Sequence, residues 1–215
     1  FNNLGNALFE LSEFDKSLDC YKKAVKLNPN FPDAFNNLGN VYSRQENLNK
    51  AIESYEFAIS LDIGKSKDKP YYNLGNIYRE LGDYGKSINL YKKAISINSS
   101  ESSFFSNLGR ALFFLGKYKE AEKILINSLN LNPNNHEARL MFFYLLIVKN
   151  DLKKAWLYFE ARLNVKNYFI PKNLNIIKNI KNKKILVLRE AGLGDEILYS
   201  SLYPELIKNN NNIVI

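Results

Sequence analysis

The chain has 215 residues, 46% of them apolar and 24% charged, a balance that fits one or two folded domains and excludes a disordered chain. The net charge of +8 is uneven: residues 1–148 carry 18 basic against 16 acidic side chains, and residues 149–215 carry 12 against 6. That basic segment has neither interleaved aromatics nor a recognisable binding motif, so nucleic acid is not an expected partner, and no apolar run approaches the ~18 residues that span a membrane.

The first elements in chain order repeat one phrase. Asn3-Leu4-Gly5-Asn6 returns as Asn37-Leu38-Gly39-Asn40, as Asn73-Leu74-Gly75-Asn76 and, with its last letter changed, as Asn107-Leu108-Gly109-Arg110, so the glycines stand 34, 36 and 34 residues apart. Around each glycine the residue types hold. An aromatic lies four before it (Phe1, Phe35, Tyr71, Phe105). A small residue lies twelve after it (Ser17, Ala51, Ser87, Ala121), a large one sixteen after (Tyr21, Tyr55, Tyr91, Leu125) and another small one nineteen after (Ala24, Ala58, Ala94, Ser128). A fixed period of this size is the mark of a stacked repeat, here two antiparallel helices per unit. Small residues allow close backbone approach and aromatics fill the space between units.

The spacing predicts helices near 1–11 and 14–27, 32–46 and 48–61, 69–81 and 84–97, and 102–115 and 118–131. A degenerate fifth unit follows at about 135–148 and 151–165, with Phe143 where its glycine would fall. Pro29 and Pro133 close the first and fourth units. Cys20, the single cysteine, falls on a helix as a small packed residue; it rules out an intrachain disulfide and fits a reducing compartment. Two Gly-Lys-Ser triplets, at 64–66 and 85–87, lack the earlier glycine of a phosphate loop, Ile59 and Glu80 standing in its place, and neither is expected to bind nucleotide. His136, the one histidine, is expected at the surface, and no metal site or bound cofactor is expected.

Beyond Asp151 the pattern changes. An Asn-, Lys- and Ile-rich linker at 166–183 leads to Lys184-Ile185-Leu186-Val187-Leu188-Arg189, which reads as a buried strand. The glycine loop Glu190-Ala191-Gly192-Leu193-Gly194-Asp195 follows, then a helix-compatible stretch and a second strand from Ile213. Strand, loop, helix and strand are the opening of a parallel α/β sheet. The expected domains are therefore 1–165, a linker at 166–183, and 184–215. The chain opens inside a repeat and stops in an apolar run, so a fragment of a longer protein is expected.

The repeat resembles the tetratricopeptide repeat (TPR) over roughly residues 1–133. The fold this implies is all-α, a right-handed superhelix of helix-turn-helix units, running into the first β-loop-α-β unit of a truncated α/β domain. The segment from Asp151 onward resembles bacterial TPR proteins that lead into a glycosyltransferase-like domain of the heptosyltransferase type. The matches are Trp156, Tyr158, Glu160, Arg162, Glu190 and Gly192-Leu193-Gly194-Asp195. It departs at Ala161, where that family often has a second tryptophan, and in a linker without its usual Trp-Asp-Gly. The resemblance implies a phosphate or sugar-nucleotide loop at Gly192, Leu193 and Gly194, with Asp195 as the base taking a proton from the acceptor, or as the cap of the helix it begins. A nucleotide-sugar donor would then be a partner of the full-length protein, held largely by a second domain absent here, and the fragment alone is not expected to be active.

Helical geometry places Asn3, Asn37, Asn73 and Asn107 at one position of successive first helices, with Asn6, Asn40, Asn76 and Arg110 in a second file nearby. Each amide offers two donors and an acceptor, so the files suit an extended peptide backbone in a concave groove. They look like the asparagine ladder of TPR-containing O-linked N-acetylglucosamine transferases. The other reading is that these amides bridge adjacent helices. The carboxylate clamp of chaperone-binding TPR proteins is not matched, since Asn2 and Asn73 stand at its lysine and arginine positions. The expected function is a protein- or peptide-binding scaffold, cytoplasmic, attached to a glycosyltransferase-like domain; the alternative is a stand-alone interaction scaffold without catalytic activity.

Overall fold

The computed structural model describes residues 1–61 and 67–151, with Lys154, Ala155 and Tyr158 beyond them and the backbone of two short strands. Nine helices are found among the described residues: α1 (Asn2–Glu10), α2 (Phe14–Leu27), α3 (Pro32–Arg44), α4 (Leu48–Ser60), α5 (Asp68–Glu80), α6 (Tyr84–Ile97), α7 (Ser102–Phe114), α8 (Tyr118–Leu131) and α9 (His136–Val148). Their bounds lie within two residues of those the spacing predicts. Local chemistry explains the starts. Pro32 opens α3 at a position where the missing N–H costs nothing, and the side chains of Asn47, Asp83 and Asn135 accept the N–H of Lys50, Lys86 and Ala138.

The first helices α1, α3, α5 and α7 each pack on the second helix that follows, and α3, α5, α7 and α9 on the second helix of the unit before. First helices also touch one another, α1 with α3, α3 with α5, α5 with α7 and α7 with α9, whereas among the described residues no second helices pack comparably. The stack therefore curves with its first helices on the inner wall, a helical superhelix. Its core is a string of inter-unit clusters. Tyr21 packs with Leu38 and Val41, Tyr55 with Leu74 and Ile77, and Tyr91 with Leu108, Ala111 and Leu145. Fully burying a side chain of this size stabilises by roughly 1.5–3 kcal/mol. Cys20 is buried and unpaired in α2, and His136 is exposed at the start of α9.

The repeated glycines mark where the helices approach closest. A Cβ added at Gly5, Gly39 or Gly75 would meet the tyrosine sixteen residues on at 2.5, 2.5 and 2.7 Å. The small position twelve residues on is closed to solvent in four units, at Ser17, Ala51, Ser87 and Ala121. Ala155, in the same register after Phe143, is 1% exposed, so the fifth unit keeps the pattern of its siblings.

Between its two helices each unit turns through one left-handed residue: Ser12, Glu46, Gly82, Gly116 and Asn150, with φ between 58° and 79°. The following amide reaches back to close each turn, as Asn47 N–H does to the Tyr42 carbonyl at 2.9 Å. Glycine adopts this conformation freely at Gly82 and Gly116, while Ser12 and Glu46 carry a Cβ into it.

The chain divides into two compact units, Phe1–Lys166 and Asn167–Ile215. In the second, β1 (Ile185–Leu186) pairs in parallel with β2 (Ile213–Val214), Ile185 opposite Ile213. The Gly192–Asp195 loop and the linker at 166–183 lie outside the described residues. Glu46→Gly is expected to raise stability in chemical denaturation by up to about 1 kcal/mol, and Gly82→Ala to lower it by a similar amount.

Candidate functional site

The asparagine files lie along the inner wall, and the structure spends part of each amide on the stack itself. Asn37 donates both Nδ2 hydrogens to the unit before, one to Asn2 Oδ1 at 3.1 Å and one to Asn6 Oδ1 at 3.0 Å. Asn73 repeats this on Asn36 Oδ1 and Asn40 Oδ1, both at 3.0 Å. In the next unit tyrosine replaces asparagine at the position of Asn2 and Asn36, and Asn107 donates to Tyr72 Oη at 2.8 Å, its second bond going to the Ser103 carbonyl.

The second file is fixed from behind. Tyr21, Tyr55 and Tyr91, the tyrosines lying on the glycines, donate their hydroxyls to Asn6, Asn40 and Asn76 Oδ1 at 2.8, 2.9 and 2.8 Å. Asn6 and Asn40 Oδ1 thus accept twice, from a tyrosine and from the next unit's asparagine. Every tie is a neutral hydrogen bond whose net contribution is about 1 kcal/mol.

The unspent valence has a regular order. Among the described residues, no group takes the Nδ2 hydrogens of Asn6, Asn40 and Asn76, and none donates to the Oδ1 of Asn37 or Asn73. Donor and acceptor therefore alternate along the wall from Asn6 to Asn76. Asn3 is exposed at the open end of the stack and Arg110 is engaged elsewhere, its Nη1 pairing with Glu137 Oε1 at 2.7 Å. Asn2, Asn36, Asn6 and Asn37 also line a cavity of about 380 Å³ on this wall. Asn2 and Asn36 were not among the expected site residues, although both stand three before a repeat glycine and could have been found there. Asp195, Gly192, Leu193 and Gly194 lie outside the described residues. No group of acidic, histidine or cysteine side chains able to hold a metal, and no helix long and apolar enough to cross a membrane, is found among the described residues.

Comparison with known families matches three overlapping stretches: a TPR repeat model at residues 5–46 and tetratricopeptide repeat models at 30–100 and 72–136. No curated protein matches the chain. Among solved structures, MamA is 24% identical with a TM-score of 0.64, over 76% of this chain and 94% of that one. YrrB, described as a TPR protein with an unusual peptide-binding site, is 21% identical with a TM-score of 0.61, over 77% and 84%. PilF of Pseudomonas aeruginosa is 22% identical with a TM-score of 0.69, over 75% and 73%. At these identities the likeness concerns the fold.

Burial raises the pKa of the Tyr21, Tyr55 and Tyr91 phenols above the ordinary 10.0. The folded state therefore keeps protons that the unfolded chain releases as pH climbs past about 10, and stability present below that pH is lost above it. Melting measured from pH 8 to 11.5 should hold steady to about pH 9.5 and then fall, and the fall should be shallower in Tyr55→Phe with Tyr91→Phe.

Proposed function

Residues 5–136 are a stack of tetratricopeptide repeats, and from that premise we propose that the inner wall binds an extended peptide through its main chain. The observation carrying this reading is the alternation of unspent donors and acceptors, Asn6, Asn37, Asn40, Asn73 and Asn76. An extended strand presents C=O and N–H groups in alternation and can pair with such a row whatever its side chains. Because tyrosines and neighbouring units already hold the amides in place, little side-chain entropy is lost on binding. YrrB, described as a TPR protein with an unusual peptide-binding site, supports peptide binding by a stack of this fold. Affinity should be modest, since ordering a flexible peptide offsets much of the gain.

We further propose that the peptide or its parent protein is presented to a glycosyltransferase-like domain beginning near residue 184, the parallel register of β1 and β2 being what such an α/β opening requires. Asp195 would then serve there as base or as helix cap. In the full-length protein, Asp195→Asn should leave folding and donor binding in place and abolish sugar transfer; near-normal transfer would reduce Asp195 to a cap. A stand-alone scaffold remains the alternative should no transfer be measurable in the parent protein.

The groove itself is tested by an isosteric change. Asn40→Asp with Asn76→Asp keeps the oxygens that accept from tyrosine and asparagine and removes the donors facing the groove. Peptides selected on the wild-type chain from a random nonapeptide library should bind this variant at least about fivefold more weakly, two lost hydrogen bonds contributing about 0.5–1.5 kcal/mol each. Its circular dichroism should be unchanged. Undiminished binding would remove the wall as the peptide site.

A further inference from the structure

Two cations converge where the amide row ends. Tyr91 Oη donates to Asn76 Oδ1 at 2.8 Å, and Arg79 lies one helical turn beyond Asn76 in α5. Arg110 holds in α7 the position that Asn76 holds in α5. Both guanidinium groups act on the Tyr91 phenol, and among the described residues no carboxylate does. The equivalent hydroxyls nearer the open end meet other fields: Glu10 acts on Tyr21, while Glu80 and Arg44 act in opposite senses on Tyr55. The wall therefore turns positive at its third and fourth units.

The protein matches neither guanidinium in full. The Arg79 side chain is only 18% exposed, and its ion pair with Glu80 spans 3.8 Å, too far for a hydrogen bond. Arg110, 33% exposed, gives Nη1 to Glu137. The Nε of both arginines is closed to solvent and has no hydrogen-bond partner. Stacking does not require a cation at either place. The sibling units carry Phe9, Ser43 and Phe113 where Arg79 stands, and Asn6, Asn40 and Asn76 where Arg110 stands. Phe114, its ring 5.9 Å from the Arg110 guanidinium, takes the position of Glu10, Arg44 and Glu80, so the fourth unit brings no acid of its own there. Under-matched, partly buried cations are costly to a fold. A carboxylate entering from the groove supplies the missing charge, in the pairing that guanidinium groups make most strongly.

Resting on the peptide-groove reading above, we propose that Arg79 and Arg110 hold a carboxylate of the bound peptide where the amide row ends. The wall from Asn6 to Asn76 then reads main chain only, and one acidic group sets the register and direction of the whole peptide. Neither arginine stands at a position of the chaperone-type carboxylate clamp compared above, where this chain has Asn2 and Asn73. A cationic residue is disfavoured here for the same reason a carboxylate is favoured.

The test uses the full chain and four fluorescein-labelled nonapeptides of one sequence. Three have blocked ends and a central glutamate, glutamine or lysine; the fourth has the central glutamine and a free C-terminal carboxylate. Fluorescence anisotropy should rank the blocked set in the order given. Glutamate should bind about three- to fivefold more tightly than glutamine, as expected for a partly exposed ion pair, with the gap shrinking as salt is raised. An equal gain by the fourth peptide over blocked glutamine supports the site with the chain end as the source of the carboxylate. Arg79→Gln with Arg110→Gln and Glu137→Gln removes both cations without leaving Glu137 unpaired. This variant should bring the glutamate peptide to the glutamine level without changing the glutamine peptide. Equal binding of all four peptides by the wild-type chain, or an acidic preference that survives in the triple variant, overturns the carboxylate site and leaves the groove standing. Absence of binding by every peptide at millimolar concentration overturns both. Should the triple variant lose its helical circular dichroism, Arg79→Gln alone, which keeps the Arg110–Glu137 pair, decides the matter. The glutamate preference should then fall by at least about half, and an unchanged preference overturns the site.

Discussion

Where a first helix carries glycine, the ring of a tyrosine from the second helix lies against bare backbone, and its hydroxyl reaches past that helix to an asparagine on the inner wall. Gly39, Tyr55 and Asn40 show the chain of dependence most clearly. Without the glycine the buried ring would have to move, a Cβ there meeting it at 2.5 Å. With the ring in place its hydroxyl is 2.9 Å from Asn40 Oδ1, and that oxygen is then positioned for Asn73 of the next unit at 3.0 Å. Packing inside one unit thereby sets the polar contact between units, and apolar burial around the same ring, with Leu74 and Ile77, supplies most of the adhesion.

One consequence is that structure and recognition share the same side chains without competing for the same atoms. The stack uses the oxygens of Asn6 and Asn40 and the hydrogens of Asn37 and Asn73; the wall keeps the complementary halves. The fourth unit departs from this scheme. Leu125 replaces the tyrosine, Arg110 replaces the asparagine and pairs with Glu137, and Tyr72 takes over as acceptor for Asn107. The amide row ends there, and a partly exposed ion pair tied to α9 succeeds it, so the two ends of the wall differ in chemistry.

The glycine period made the helices and the buried positions legible from the sequence, because spacing alone says which residues must be small where backbones approach. Turns were less legible. Gly82 and Gly116 announce a left-handed residue, and Asn150 tolerates one, but Ser12 and Glu46 adopt the same conformation with no local signal. The asparagine files were visible as a pattern, whereas the division of each amide between stack and groove was not. It depends on Asn2, Asn36 and Tyr72, whose shared role as acceptors shows only when successive units are set side by side. The residues matched to a glycosyltransferase-like loop form no repeat, so no internal copy exists to check them against.

The central claim is that asparagines of adjacent units are energetically tied across the interface while part of each amide is left to a ligand. A double-mutant cycle on Asn40→Ala and Asn73→Ala, read by urea denaturation of the full chain, measures that tie most directly. A coupling of about 1 kcal/mol is the expected result for a neutral hydrogen bond between them. Strictly additive losses would contradict the account, showing that the units stack through apolar contacts alone and that the order of the wall has another cause.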